Sequence, residues 1–117
     1  MMSIDAARAI AVSGLTLQER RLAVSANNVA NVNTDGFEAQ RVEPETVRDG
    51  GVTSRIAPTG DPAPVVVNES GELETLSNTD LIQERVNQIE AQHAFAANVA
   101  VLQTADEMEA SLLDLEI

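Results

Sequence analysis

The chain has no cysteine, no tryptophan and no tyrosine, and its aromatics are Phe37 and Phe95 alone. Without cysteine there is no disulfide framework and no thiolate chemistry, a constraint that fits any compartment. So few aromatics argue against a compact globular core, which draws on them for buried area. Ala, Val, Leu and Ile carry the apolar content instead, as suits long helices. No apolar run approaches a membrane span, and the start, Met1-Met2-Ser3-Ile4-Asp5, lacks a cleavable-signal pattern. Basic surface is also scarce. The net charge is −12, and residues 61–117 carry Arg85 as their single cation. That balance argues against nucleic acid, whose phosphates need a basic face. It also allows near-neutral N-terminal segments to pack on acidic C-terminal segments of neighbouring chains.

What is present is helical periodicity at both ends. Ser3 or Asp5 can cap a helix running to about Val32. Leu15, Leu22 and Val29 form one seven-residue row, and Ile10, Leu17 and Val24 form another. The rows lie about 200° apart at about 100° per residue, so the helix expects burial on two sides. From Glu38 to about Ser77, Pro44, Gly50-Gly51, Pro58, Gly60, Pro62, Pro64 and Gly71 punctuate the chain. Val65–Val67 and Val52–Ile56 are short strand candidates there, and Asn68-Glu69-Ser70-Gly71 reads as a turn. From Thr79 to about Leu115 no Pro or Gly interrupts a second long helix, capped by Ser77, Asn78 or Thr79, with Asp80 in its first turn. Ile82, Val86, Ile89, His93, Ala96 and Ala100 follow coiled-coil spacing. So do Val101, Ala105, Met108, Leu112 and Leu115, with a phase shift near residue 100. The expected fold is mainly α: long terminal helices paired as an antiparallel hairpin or coiled coil, around a small β-hairpin or irregular middle. The segments are 1–37, 38–77 and 78–117, within one domain.

No catalytic constellation stands out. His93 is the single histidine, which excludes a histidine-based metal cluster and leaves a catalytic triad resting on one residue. Acid pairs such as Glu72/Glu74 and Asp106/Glu107 read as solvated charges, and Gly50-Gly51 reads as a turn. No enzyme activity and no cofactor is expected.

The most distinctive stretch is Ala26-Asn27-Asn28-Val29-Ala30-Asn31-Val32-Asn33-Thr34-Asp35-Gly36-Phe37. Asn27, Asn28 and Asn31 share one helix face, and Gly36 suits the turn that ends the helix. The face reads either as a solvated helix end or as a ladder of amides pairing with another chain. The stretch resembles the "ANN-(I/V)-AN-x-x-T-x-G-(F/Y)" signature of bacterial flagellar axial proteins of the rod and hook. Gly71–Leu81 is similar to the same family's approach to its C-terminal helix. Ile89–Asn98 resembles "I-x-A-Q-R-A-(Y/F)-x-A-N", and Gln103–Met108 resembles "x-T-A-D-E-M". His93 stands where the family usually has Arg, Asp35 where Pro is common and Thr79 where Val is usual.

The C-terminal wording is closest to hook and distal-rod members, whereas the short middle matches the proximal-rod FlgC type. The resemblance implies a structural subunit of the flagellar basal-body rod. It would be exported through the type III apparatus without signal cleavage and would polymerise through its terminal helices. The product would be the periplasm-spanning axial tube, which transmits torque and encloses the export channel. Its partners would be itself, other rod and hook proteins and the export apparatus, with no nucleic acid and no membrane insertion. Expected assembly contacts are Leu15, Leu22, Asn27, Asn28, Asn31 and Phe37 on the first helix, and Ile89, Phe95, Asn98, Val101 and Met108 on the last. The alternatives are a coiled-coil adaptor or inner-rod-like protein of a type III secretion system, and a peptidoglycan-acting enzyme.

Overall fold

A computed structural model describes residues 3–116 as a rod-shaped molecule of 80 × 25 × 14 Å. Helix α1 spans Ile4–Ala30. Its N-cap is Ser3, whose hydroxyl accepts from the Ala6 amide at 3.1 Å, which decides between the two expected caps. Helix α2 spans Leu81–Glu116, and its cap is Asp80, which accepts from the Ile82 and Gln83 amides, rather than the expected Ser77, Asn78 or Thr79. The two helices run antiparallel along their length. Arg8 meets Asp106 and Glu109 at one end, and Ser25 meets Gln88 near the other. The expected helical hairpin is therefore present. Because α2 is nine residues longer (36 against 27), its C-terminal turns run past the start of α1.

Between the helices lie two β-hairpins rather than the single one expected. Strands β1 (Gln40–Thr46) and β2 (Val52–Pro58) pair antiparallel, with Val42 opposite Ile56 and Pro44 opposite Ser54. Gly50 and Gly51 make the turn, both at positive φ (100° and 89°), where a side chain would be strained. Strands β3 (Val65–Val67) and β4 (Leu73–Thr75) form the second hairpin, closed by the expected Asn68–Gly71 turn. There the Asn68 side-chain oxygen accepts from the Ser70 and Glu72 amides at 2.9 Å. β1–β2 lies along α1: the Ser13 hydroxyl accepts from the Val52 amide, and Arg20 donates to the Ser54 carbonyl and hydroxyl. Both hairpins are largely exposed and have no core of their own.

The seam between the helices corrects one expectation. The row Ile82, Val86, Ile89, His93, Ala96 and Ala100 faces outward, with Ile82 80% exposed. The face of α2 turned to α1 carries Glu84, Ala91 and Ala105 buried, with Gln88, Asn98 and Leu102 half-buried. Small residues let the backbones approach closely, so the contact is set by fit rather than by bulk. A Cβ added at Gly14 would stand 2.8 Å from the Asn98 amide, which shows how tight the approach is. On α1 the Leu17–Val24 row is buried, while Leu15 and Val29 are half-buried and Leu22 is exposed. The second row of α2 is also mostly bare: Val101, Met108, Leu112 and Leu115 are exposed and only Ala105 is covered.

Candidate assembly site

Two features of the fold bear on function: a polar clasp at one end, and apolar faces along both helices. The clasp forms where α1 ends and α2 begins. Asn28 is the largest fully buried side chain, 1% exposed. Its amide nitrogen donates to the Gln40 carbonyl at 2.8 Å and to both Glu84 carboxylate oxygens at 3.2 Å. Its side-chain oxygen accepts from the Gln40 amide at 3.0 Å, and its carbonyl accepts from the Thr79 hydroxyl. One asparagine thus joins α1, the start of β1 and the first turns of α2. Asn78 ties the same region from the other side. Its side chain accepts from the Ala39 amide at 2.5 Å and donates to the Asp61 carbonyl, and its own amide donates to the Phe37 carbonyl. Gly36, at positive φ, donates to the Thr75 carbonyl and brings β4 into the knot.

Glu84 is 5% exposed, and among the described residues its carboxylate is held by amides rather than by a cation. The Ser25 hydroxyl donates to the Glu84 carbonyl and accepts from Gln88, continuing the network down the seam. A buried polar group is costly unless bonded, so this network fixes the register of the two helices.

The asparagine face is therefore divided. Asn28, expected as a contact with another chain, is enclosed by its own. Asn31 is half-buried and turns back to donate to the Asn27 carbonyl at 2.9 Å, closing the end of α1, while Asn27 is exposed. Of the other expected contact residues, Leu15, Phe37 and Asn98 are half-buried, and Asn98 donates to the Ala94 carbonyl. Leu22, Ile89, Phe95, Val101 and Met108 are exposed, Met108 by 54%. These exposed residues do not converge on one patch; they cover several sides of the hairpin. Glu84 and Asn78 escaped the sequence reading as organising residues. Asn78 was visible only as a helix cap, and a lone Glu in an acidic segment carries no signal of burial.

At the open end, Arg8 donates to Asp106 at 2.7 Å and to Glu109 at 2.5 Å, and these bonds raise its pKa, that to Glu109 most. Beside this clamp, Ile4, Ala7, Val101, Ala105 and Met108 line an apolar groove. Among the described residues no group of acids and His could hold a metal ion, and no helix is long and apolar enough to cross a membrane.

The class these features define is an elongated helical hairpin with a polar clasp at one end and uncovered apolar flanks, as suits a structural subunit. Residues 9–37 match the family described as flagella basal body rod protein. Residues 69–115 match the C-terminal family of the flagellar basal body rod FlgEFG proteins. The chain belongs to the flagellar basal-body rod and hook protein family, and its role is that of a structural, rod-type component. A comparison with curated proteins finds no match. The family matches fall on the two helices and the clasp, and leave the β1–β2 hairpin outside them.

Proposed function

We propose that this chain is a subunit of the flagellar basal-body rod that polymerises through its terminal helices into the axial tube, a tube that transmits torque and encloses the export channel. The observation that carries this reading is the coincidence of two facts. The rod-family matches cover both helices, and those helices leave Leu22, Ile82, Val86, Ile89, Val101 and Leu112 exposed. Apolar residues in long exposed rows mark surfaces that a partner covers. Such contacts are heterologous, one face meeting a different face of the next copy, and so build a tube rather than a closed dimer.

The middle of about forty residues holds two small hairpins and no inserted domain, which favours a short proximal-rod member of the FlgC type. In this reading the chain is no enzyme. It travels through the flagellar export apparatus without signal cleavage and sits in the periplasm-spanning rod beside other rod and hook proteins. The asparagine-rich signature disfavours a generic secretion adaptor. Sedimentation across a concentration series tests self-assembly. The expected result is a helical monomer at low concentration and large species as concentration rises. A chain that stays monomeric at every concentration contradicts polymerisation through its own helices.

A further inference from the structure

The β1–β2 hairpin is held very differently at its two ends. At its base, Asn78 secures both chain ends: it accepts from the Ala39 amide just before β1 and donates to the Asp61 carbonyl just after β2. The Thr59 amide donates to the Ala39 carbonyl at 3.0 Å, and the buried Asn28 side chain bonds both backbone groups of Gln40. At the tip a single hydroxyl fastens the hairpin to α1. Ser13 accepts from the Val52 amide at 3.1 Å and donates to the Ile10 carbonyl of its own helix at 2.6 Å. Midway, Arg20 donates to the Ser54 carbonyl and hydroxyl in an exposed position, where water competes for each bond.

Little apolar burial backs these bonds. Val47 and Ile56 of the hairpin are exposed, and Val42 and Val52 are half-buried. A groove of about 530 Å³, with Thr16, Ala23 and Ile56 among its walls, runs between the hairpin and α1. At about 30 Å³ per water that is room for more than a dozen, so this stretch is wet rather than packed. Only the tip comes down closely. A Cβ at Gly50 would stand 3.0 Å from Ile10 Cδ1, and one at Gly51 would stand 2.9 Å from Ser13 Oγ. The glycines thus lay the turn over Ile10, the first residue of the apolar row that continues to Leu17 and Val24.

A two-stranded ribbon without a core is marginal by itself, so β1–β2 stays paired only while it lies on α1. The least buried parts of a fold open first and leave the rest folded. Here the base is enclosed and the tip exposed, so opening starts at Ser13 and hinges at the clasp.

We propose that the β1–β2 hairpin is a releasable strap, hinged at the clasp and latched to α1 by Ser13. Latched, it withholds the Ile10 side of α1 from neighbouring copies. Release, which precedes any separation of the two helices, uncovers that side. This rests on the assembly reading above and adds a control to it within the chain.

The absence of native cysteine makes the strap lockable. A Cβ at Gly51 would lie 3.5 Å from that of Ser13, at the short end of the span of about 3.5–4.5 Å that a disulfide bridges. In Ser13→Cys/Gly51→Cys the backbone strain at Gly51 is common to the oxidised and reduced forms, so reductant toggles the latch alone. Ser13→Ala removes the latch and leaves the turn intact. Amide hydrogen exchange reads release in the monomer, and sedimentation reads assembly. In the wild-type chain the paired β1–β2 amides should exchange roughly tenfold or more faster than the seam amide of Ala91. Ser13→Ala should speed them about fivefold further, the scale of one lost hydrogen bond, with Ala91 unchanged. It should also form large species at a lower concentration than wild type. The oxidised pair should slow the same amides and stay monomeric where its reduced form assembles. Where strain stops the reduced form as well, Ser13→Ala decides. Hairpin amides that exchange no faster than Ala91 overturn the strap. An oxidised pair that assembles like its reduced form, or a Ser13→Ala chain that assembles no sooner than wild type, overturns its role as a cover. A wild-type chain that never forms large species overturns the assembly reading instead, and exchange alone then decides whether the strap releases.

Discussion

Asn28 carries more of the structure than any other single side chain. Its amide satisfies both backbone groups of Gln40 and shares a hydrogen with the buried Glu84 carboxylate. Removing it strands three polar groups at a site that is 1% exposed. Asn28→Ala should therefore cost about 2–3 kcal/mol in a urea unfolding experiment, the scale of buried polar groups left without partners. Asn28→Asp should cost more at neutral pH than at pH 4, because a second carboxylate then faces Glu84. An Ala variant as stable as wild type would show that the clasp does not hold the helices. The sequence made Asn28 conspicuous but did not assign its partner. An amide ladder on a helix face has the same pattern whether it meets the chain's own loop or another subunit. What decides is the path of residues 31–40, which brings Gln40 back against α1, and no local propensity records that path.

At the scale of elements, the long helices were legible and the sheets were half so. Periodicity and the cap at Ser3 set the limits of α1, whereas the cap of α2 is Asp80 and not Ser77, Asn78 or Thr79, because Ser77 and Asn78 are engaged in the clasp region before the helix starts. Strand β1 was missed because Gln-Arg-Val-Glu-Pro-Glu-Thr offers one apolar residue and a proline, signals that argue against a strand. It forms because charge and register hold it: Glu43 lies between Arg41 on its own strand and Arg55 on β2. Those bonds, that to Arg55 first, lower the Glu43 pKa below its ordinary 4.5. A depressed folded-state value means the contribution is full above the ordinary carboxylate range. It is lost as pH falls through the lowered value. Carbon NMR of the Glu43 carboxyl should show a midpoint below 4.5, and Glu43→Gln should abolish the acid-dependent loosening of this hairpin. A midpoint at or above the ordinary value would contradict the bridging role. The helix seam was misassigned for a related reason. Periodicity points to the most apolar row, yet the tight interface selected Ala91, Ala105 and Gly14 for their size.

At the scale of the molecule, the hairpin is long, thin and apolar on the outside, and the polar clasp makes it stiff before any partner arrives. The family matches take in the polar residues of the clasp, Asn28, Asn78 and Glu84, and also the exposed outer row of α2 from Ile82 to Ala100. The most direct test is whether the chain enters the rod through those rows. Val86 is 42% exposed on the outer row, so Val86→Glu should leave the monomer folded. In cells carrying a tagged chain, purified basal bodies should contain the wild-type protein in the rod. They should lack the Val86→Glu protein even though it is exported, and those cells should not swim. Motile cells whose basal bodies hold the variant at wild-type level would contradict assembly through the outer face of α2.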